Sequence, residues 1–331
     1  MLLTPRRGSV RTLPALILTT ALVGSLAACT SPAHGGCTPA VPEGETAGYV
    51  SATGAVGSQP EVDFPTPLTV SSSQSAVLET GEGARISRGD VVDMQATLLD
   101  ATSGEVIGAT SYSADGEPVR RAAGSGLDVL ADAVQCATVG SRIAVVSTWA
   151  DFYGDAEVAT NQGVDPEGSV VLVLDLEESF LGRANGTPQL GAEGVPAVVT
   201  TPDGVPGVTI PNSDAPSELI AHTLVLGGGQ PLESGDPAVL HYTGIVWESG
   251  TIFDSSWERG APTTFPIVSF DDDPAGIVPG LAQALEGKTV GSQVVVVIPP
   301  ELGYPEGQAP ATIPAGSTMV FVVDILGVEG Q

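Results

Sequence analysis

An internal duplication restricts how this chain can fold more than any other feature. Leu130-Ala-Asp-Ala-Val-Gln-Cys-Ala-Thr-Val-Gly-Ser141 lines up with Leu281-Ala-Gln-Ala-Leu-Glu-Gly-Lys-Thr-Val-Gly-Ser292, and seven of the twelve positions are identical. The register runs upstream, where Gly81, Gly83, Gly89 and Asp90 fall against Gly227, Gly229, Gly235 and Asp236, and Gly104 against Gly250. Downstream, Tyr153 matches Tyr304, and Gly168 to Asp175 matches Gly316 to Asp324 with one insertion or deletion. A repeat this long means two copies of one domain rather than a stack of short units. The sequence predicts domains at 59–181 and 204–331. Between them, 182–203 is rich in Gly, Ala and Pro, lacks sustained periodicity and reads as a linker.

Each copy is mostly β by pattern. The runs Ala238 to Val246, Gln293 to Ile298 and Thr318 to Leu326 are rich in Val and Ile and bounded by Gly or Pro. Between them, Leu281, Ala284 and Leu285 fall at helical spacing behind Pro279, with Gly287 as a stop. The expectation is an α+β domain in which an antiparallel sheet of about five strands wraps one short helix.

The first 28 residues carry Arg6, Arg7 and Arg11, no acid, and an apolar run from Leu13 to Ala28 that is short for a bilayer span. This reads as a secretory signal, with Arg6-Arg7 either a twin-arginine mark or a generic basic start. Its end, Leu26-Ala27-Ala28-Cys29, resembles a bacterial lipobox, which implies lipidation of Cys29 and anchoring to the outer face of the cell membrane. The alternative is ordinary cleavage after Ala28. Residues 29–58 read as a flexible tether.

Removal of the signal leaves eight cationic side chains against 39 acidic ones, with Lys288 the only lysine of the whole chain. Such a charge repels phosphate backbones, which excludes nucleic acid as a partner. Export implies an oxidising compartment, and with Cys29 lipidated the remaining pair, Cys37 and Cys136, is expected to form a disulfide; two unrelated thiols are the alternative. Closing a loop of about 100 residues contributes on the order of 4 kcal/mol. His34, His222 and His241 are scattered and no Cys-x-x-Cys occurs, so no metal site is expected.

The second copy carries an ordered series: His241-Tyr242-Thr243-Gly244, Phe253-Asp254-Ser255-Ser256, Ile277-Val278-Pro-Gly280-Leu281, Ile298-Pro-Pro-Glu-Leu-Gly-Tyr304, Ile313-Pro314 and Met319-Val-Phe321. Across about the last 100 residues this series resembles the FKBP-type peptidyl-prolyl cis-trans isomerases. The resemblance implies two tandem FKBP-like domains, the first degenerate, and a prolyl pocket with Tyr242, Phe253, Asp254, Tyr304 and Phe321 as catalytic residues. Phe265, Ile277, Val278, Leu281 and Ile313 join them as binding residues, with Leu281 at the floor. It implies no cofactor, and as substrates proline-containing exported polypeptides whose folding the chain assists.

Singly, Phe253, Phe321 and Ile313 read as core residues, and Asp254 as a turn cap before Ser255-Ser256. His241, on the strand face opposite Tyr242, reads as a surface or cross-strand residue. Leu281 replaces the family's usual tryptophan, Thr263 a common aromatic, and Pro305 the glycine after the pocket tyrosine. The loop from Pro266 to Gly276 is longer than in the smallest members. In the first copy the same positions are Ala96, Ile107, Gly108, Leu130 and Leu172, and only Tyr153 is retained, so that copy is expected to be inactive. The rival reading is a non-catalytic peptide-binding chaperone or scaffold lipoprotein.

Overall fold

The Val- and Ile-rich runs become two antiparallel sheets in the computed structural model, which describes residues 37–113, 116–304 and 307–330. The first copy contains β1 (Ser51–Thr53), β2 (Glu61–Asp63), β3 (Gln74–Glu79), β4 (Val91–Asp100), β5 (Val106–Ala109), β6 (Val119–Ala122), α1 (Val129–Ala133), β7 (Arg142–Thr148), α2 (Trp149–Tyr153), α3 (Ala156–Asn161) and β8 (Ser169–Phe180). The second contains β9 (Thr187–Pro188), β10 (Ala197–Thr200), β11 (Pro206–Thr209), β12 (Ile220–Leu226), β13 (Pro237–Val246), β14 (Ile252–Ser255), α4 (Ser256–Arg259), β15 (Thr263–Pro266), α5 (Pro279–Leu285), β16 (Gln293–Ile298) and β17 (Met319–Val328).

Sheet order exposes the duplication. The first sheet runs β3-β7-β8-β4-β5 with β6 also on β4; the second runs β14-β13-β17-β16-β12-β9 with β15 also on β13. Reading β12, β13, β14, β15, β16 and β17 for β3, β4, β5, β6, β7 and β8 gives the same order. The sheets have six and seven strands rather than about five. In each, the long strand β4 or β13 pairs with two short segments on the same side, and β9 is added from the supposed linker.

Both faces of each sheet are covered, which is why the central strands read as unbroken apolar runs. In β16, Val294 and Val296 pack toward Leu281 and Leu285 of α5, while Val295 and Val297 pack with Val198, Val208 and Ile210 on the other face. Burying each such side chain contributes ~1.5–3 kcal/mol. The hairpin β10–β11 that supplies Val198 and Val208 begins inside 182–203. That segment is thus not a bare linker: β9 pairs with β12, and β10 belongs to a packed hairpin. Likewise the described part of the expected tether is ordered against the first sheet, with Ala47 and Val50 buried beside Val171 and Val173. The hairpins match in register, Ser51 opposite Asp63 and Ala197 opposite Thr209, so the repeat extends further upstream than 59.

Cys37 and Cys136 are joined by a disulfide with Cα atoms 5.7 Å apart, which ties this covering layer to the turn after α1. Cys29 and the signal segment lie outside the described residues. No helix among the described residues is long and apolar enough to cross a membrane.

The two sheets also meet. Val91, Phe180, Val239 and Leu326 form a small buried cluster across the junction, with Leu181 packed against it. A Cβ at Gly327 would lie 2.6 Å from Phe180 Cδ1, so the absence of a side chain there admits the ring.

Candidate functional site

Helix α5 lies over one face of the second sheet but does not cover all of it. The uncovered part is a cavity of about 470 Å³. Strand β13 contributes Leu240 and Tyr242, β17 contributes Phe321 and Val323, β14 contributes Phe253 and Asp254, and β15 contributes Phe265. The segment entering α5 contributes Ile277 and Val278, and the helix itself Leu281, 7% exposed. Tyr304 closes one side.

The aromatic walls support one another. Phe253 and Phe321 meet edge to face at 5.5 Å, and Tyr242 lies 5.9 Å from Phe265 and 6.3 Å from Phe321. Gly244 makes the first contact feasible, because a Cβ there would lie 2.5 Å from Phe253 Cζ.

One polar cluster sits at the rim. The Tyr242 hydroxyl donates to Asp254 Oδ2 at 2.5 Å, Arg259 Nη2 donates to the same hydroxyl at 2.9 Å, and Arg259 Nη1 pairs with Asp254 Oδ1. The guanidinium lies 5.4 Å from the centre of the Tyr242 ring. Burial, then the bond to Asp254, pushes the Tyr242 hydroxyl up to about 12. Tyr304 is raised by burial and secondarily by Asp254. Both phenols are therefore neutral donors across the physiological range. Among the described residues neither the Tyr304 hydroxyl nor the Val278 amide has a hydrogen-bond partner.

Nine of the ten residues expected from the sequence meet in this cavity. The tenth, Ile313, is buried at 6% exposure and lines a neighbouring groove of about 600 Å³, which shares Tyr304 and includes Pro310 and Met319. Leu240 and Val323 were legible as candidates, since they stand two residues from Tyr242 and Phe321 on the same strand faces. Phe270 and Pro274 had no such signal. They belong to the long acidic loop, and Phe270 stacks on Tyr304 at 6.0 Å. Arg259 was missed because only helix α4 brings it back over Asp254.

His241 is on the opposite face, as strand alternation requires, yet it is neither exposed nor in the cavity. It is 6% exposed, stacked on Trp257 at 3.8 Å, with Nδ1 2.8 Å from Ser256 Oγ. Burial, with Arg259 second, lowers its pKa to about 4. Across the ladder stands Asp324, which burial raises to about 6. Acidification acts oppositely on the two. The unfolded chain protonates His241 first, so stability is lost from pH 6.5 toward 4; the folded chain protonates Asp324 first, so stability is gained from pH 6 toward the ordinary aspartate range. A His241→Gln variant should therefore gain about 1.5 kcal/mol relative to the parent between pH 6.5 and 5, read from urea midpoints at both values. An unchanged difference would mean that His241 is not held neutral.

The first copy differs at the corresponding positions. Trp149, Phe152 and Tyr153 of α2 pack together at 5.0–5.9 Å and onto the core beside Leu130, Leu172 and Ala96, while Ile107 is 49% exposed. Among the described residues no cluster of His, Cys, Asp and Glu is arranged to hold a metal ion.

Comparison with known proteins agrees with the site in location. The profile of the family described as FKBP-type peptidyl-prolyl cis-trans isomerase matches residues 228–326. A probable FK506-binding protein of Corynebacterium glutamicum is 33% identical over 122 residues, covering 37% of this chain and 96% of the relative. An FK506-binding protein of Streptomyces anulatus is 30% identical over 124 residues, covering 37% and 96%. Among solved structures, FkpA from Escherichia coli is 30% identical with a TM-score of 0.30, covering 41% of this chain and 52% of that one.

Proposed function

The chain belongs to the family of FKBP-type peptidyl-prolyl cis-trans isomerases, and we propose that the cavity between α5 and the second sheet is where it turns X-Pro bonds. The observation that carries this reading is the meeting of Tyr242, Phe253, Asp254, Phe265, Tyr304 and Phe321 around one cavity of about 470 Å³, which has room for a prolyl ring and the residues flanking it.

The reaction breaks no bond. An X-Pro amide rotates past a barrier of about 20 kcal/mol that comes from loss of its resonance. The twisted amide is less polar than the planar one, so a cavity walled by phenyl rings and by Ile277, Val278 and Leu281 favours the transition state over the ground state. The rings hold the pyrrolidine while the chain on its amino side turns. In this reading the Tyr304 hydroxyl and the Val278 amide donate to substrate carbonyls, and the Tyr242–Asp254–Arg259 cluster fixes the rim. No cofactor enters this chemistry.

In this reading the chain is a pair of tandem FKBP-like domains, the first without a prolyl pocket. Its clients are proline-containing exported polypeptides, met at the outer face of the membrane to which a lipid on Cys29 holds it. The basic, apolar start ending at Cys29 and the disulfide between Cys37 and Cys136 support that placement.

The test is the cis-to-trans rate of short X-Pro peptides with and without the full chain, scanned over several X. Acceleration that follows the chain's concentration is expected. One observation favours a non-catalytic peptide binder instead: the floor is Leu281, which offers less aromatic surface than an indole. A folded chain that binds the peptides without accelerating them would establish that second reading.

A further inference from the structure

We propose that Arg120, in the first copy, is a positioning residue for the prolyl pocket of the second; the inference rests on the isomerase reading of that pocket. The wall residue Phe265 stands on β15, a four-residue strand paired only with the start of β13. So short a strand with one partner is a weak support for a wall. Its two threonines are held from different sides. Thr263 Oγ1 accepts from Arg259 at 3.2 Å, Phe265 faces the cavity, and Thr264, on the other strand face, accepts from Arg120 Nη1 at 2.9 Å.

Arg120 is itself rigid. Its Nε and Nη2 grip both oxygens of Asp93 at 2.7 and 2.6 Å, and its guanidinium lies 5.3 Å from the centre of the Phe180 ring. Nη2 also donates to Glu329 Oε1 at 2.6 Å, and Thr264 donates to that same oxygen. A planar fork held by a carboxylate and a ring presents its remaining N–H in one direction, which a flexible ammonium does not.

The duplication explains why the contact falls here. Arg120 pairs with Asp93 on β4 as Thr264 pairs with Val239 on β13, so the two residues hold equivalent positions on equivalent strands and meet across the junction. At the matching place the first copy has Ala96, Ile107, Gly108 and Leu172 where the second has Tyr242, Phe253, Asp254 and Phe321. What it supplies is the back support of a wall in the other.

Removing Arg120 leaves Asp93 buried and unpaired and risks misfolding, so the test starts from Thr264→Val, which keeps the Arg120–Asp93 pair and the strand. In the full chain this variant should lower kcat/KM toward an X-Pro peptide about three- to tenfold, and Thr264→Ser should restore it. Because Arg120 acts through Phe265, adding Thr264→Val to Phe265→Leu should cost nothing beyond Phe265→Leu alone. Hydrogen exchange over 263–266 reads the brace without reference to turnover and should accelerate about fivefold in Thr264→Val. Parent-like kcat/KM and exchange in Thr264→Val would overturn the proposal, as would losses that simply add in the double variant. Faster exchange in a chain whose parent shows no isomerisation would retain the brace and remove the isomerase reading.

Discussion

Phe321→Ala is expected to lower kcat/KM of the full chain toward X-Pro peptides by about 30- to 100-fold, some 2–3 kcal/mol of transition-state stabilisation. Phe321 is 6% exposed and stands between Phe253 and Tyr242, touching the first edge to face at 5.5 Å. Truncating it removes one wall, frees the Phe253 ring and admits water to the place where the twisted amide must lose polarity. The same change opens a cavity in the core and costs about 3–5 kcal/mol of stability, so the rate has to be measured where circular dichroism shows the variant folded. Phe321→Leu, which keeps most of the volume, should retain more of the activity. A folded Phe321→Ala chain with parent-like kcat/KM would move the reaction out of this cavity.

How far the sequence disclosed this arrangement depends on how local each signal is. Strands β13, β16 and β17 and helix α5 were legible because each is long enough to show a period or has its own stop signal. The pocket residues were legible as an ordered series, and strand alternation alone separates Tyr242 from His241. The hairpins were not. Their strands are three or four residues long in Gly- and Pro-rich surroundings, too short for alternation to rise above composition. Yet Pro60, Val62 and Pro65 fall against Pro206, Val208 and Pro211 at the same offset that places Gly89 against Gly235, so the repeat register held the missing signal. Phe270 reaches the cavity through a long loop and Arg259 reaches its rim through a one-turn helix, paths that no periodicity encodes. Arg120 is the extreme case: its partners Asp93, Thr264 and Glu329 are scattered over more than 200 positions of sequence, and only packing of one copy on the other assembles them.

Arg142→Met should cost about 3–5 kcal/mol of stability in urea unfolding, because it leaves a carboxylate buried without its cation. Arg142 is 1% exposed and forks onto Asp175 with both contacts at 2.6 Å. Its remaining donors reach the carbonyls of Gly54 at 2.8 Å and of Ala55 and Ser58 at 3.0 Å, while the Gly57 amide donates to Asp175 Oδ2 at 2.7 Å. The ion pair thus fastens the tip of the β1–β2 hairpin to the sheet it covers. In the second copy Gln293 and Asp324 take these places, and Asp324 instead accepts the Ala184 amide at 2.8 Å and Gln293 Nε2 at 2.7 Å. A neutral amide suffices where one backbone group is to be held; a guanidinium is required where three carbonyls converge. Two further variants follow from that difference. Arg142→Gln should lose hairpin protection in hydrogen exchange over 51–63 yet fall short of the full destabilisation, since the amide still meets Asp175. Arg142→Met combined with Asp175→Leu should be more stable than Arg142→Met alone, because the uncompensated charge is gone. If Arg142→Met alone costs under about 1 kcal/mol, the hairpin tip is held by its apolar contacts with the sheet and not by the ion pair.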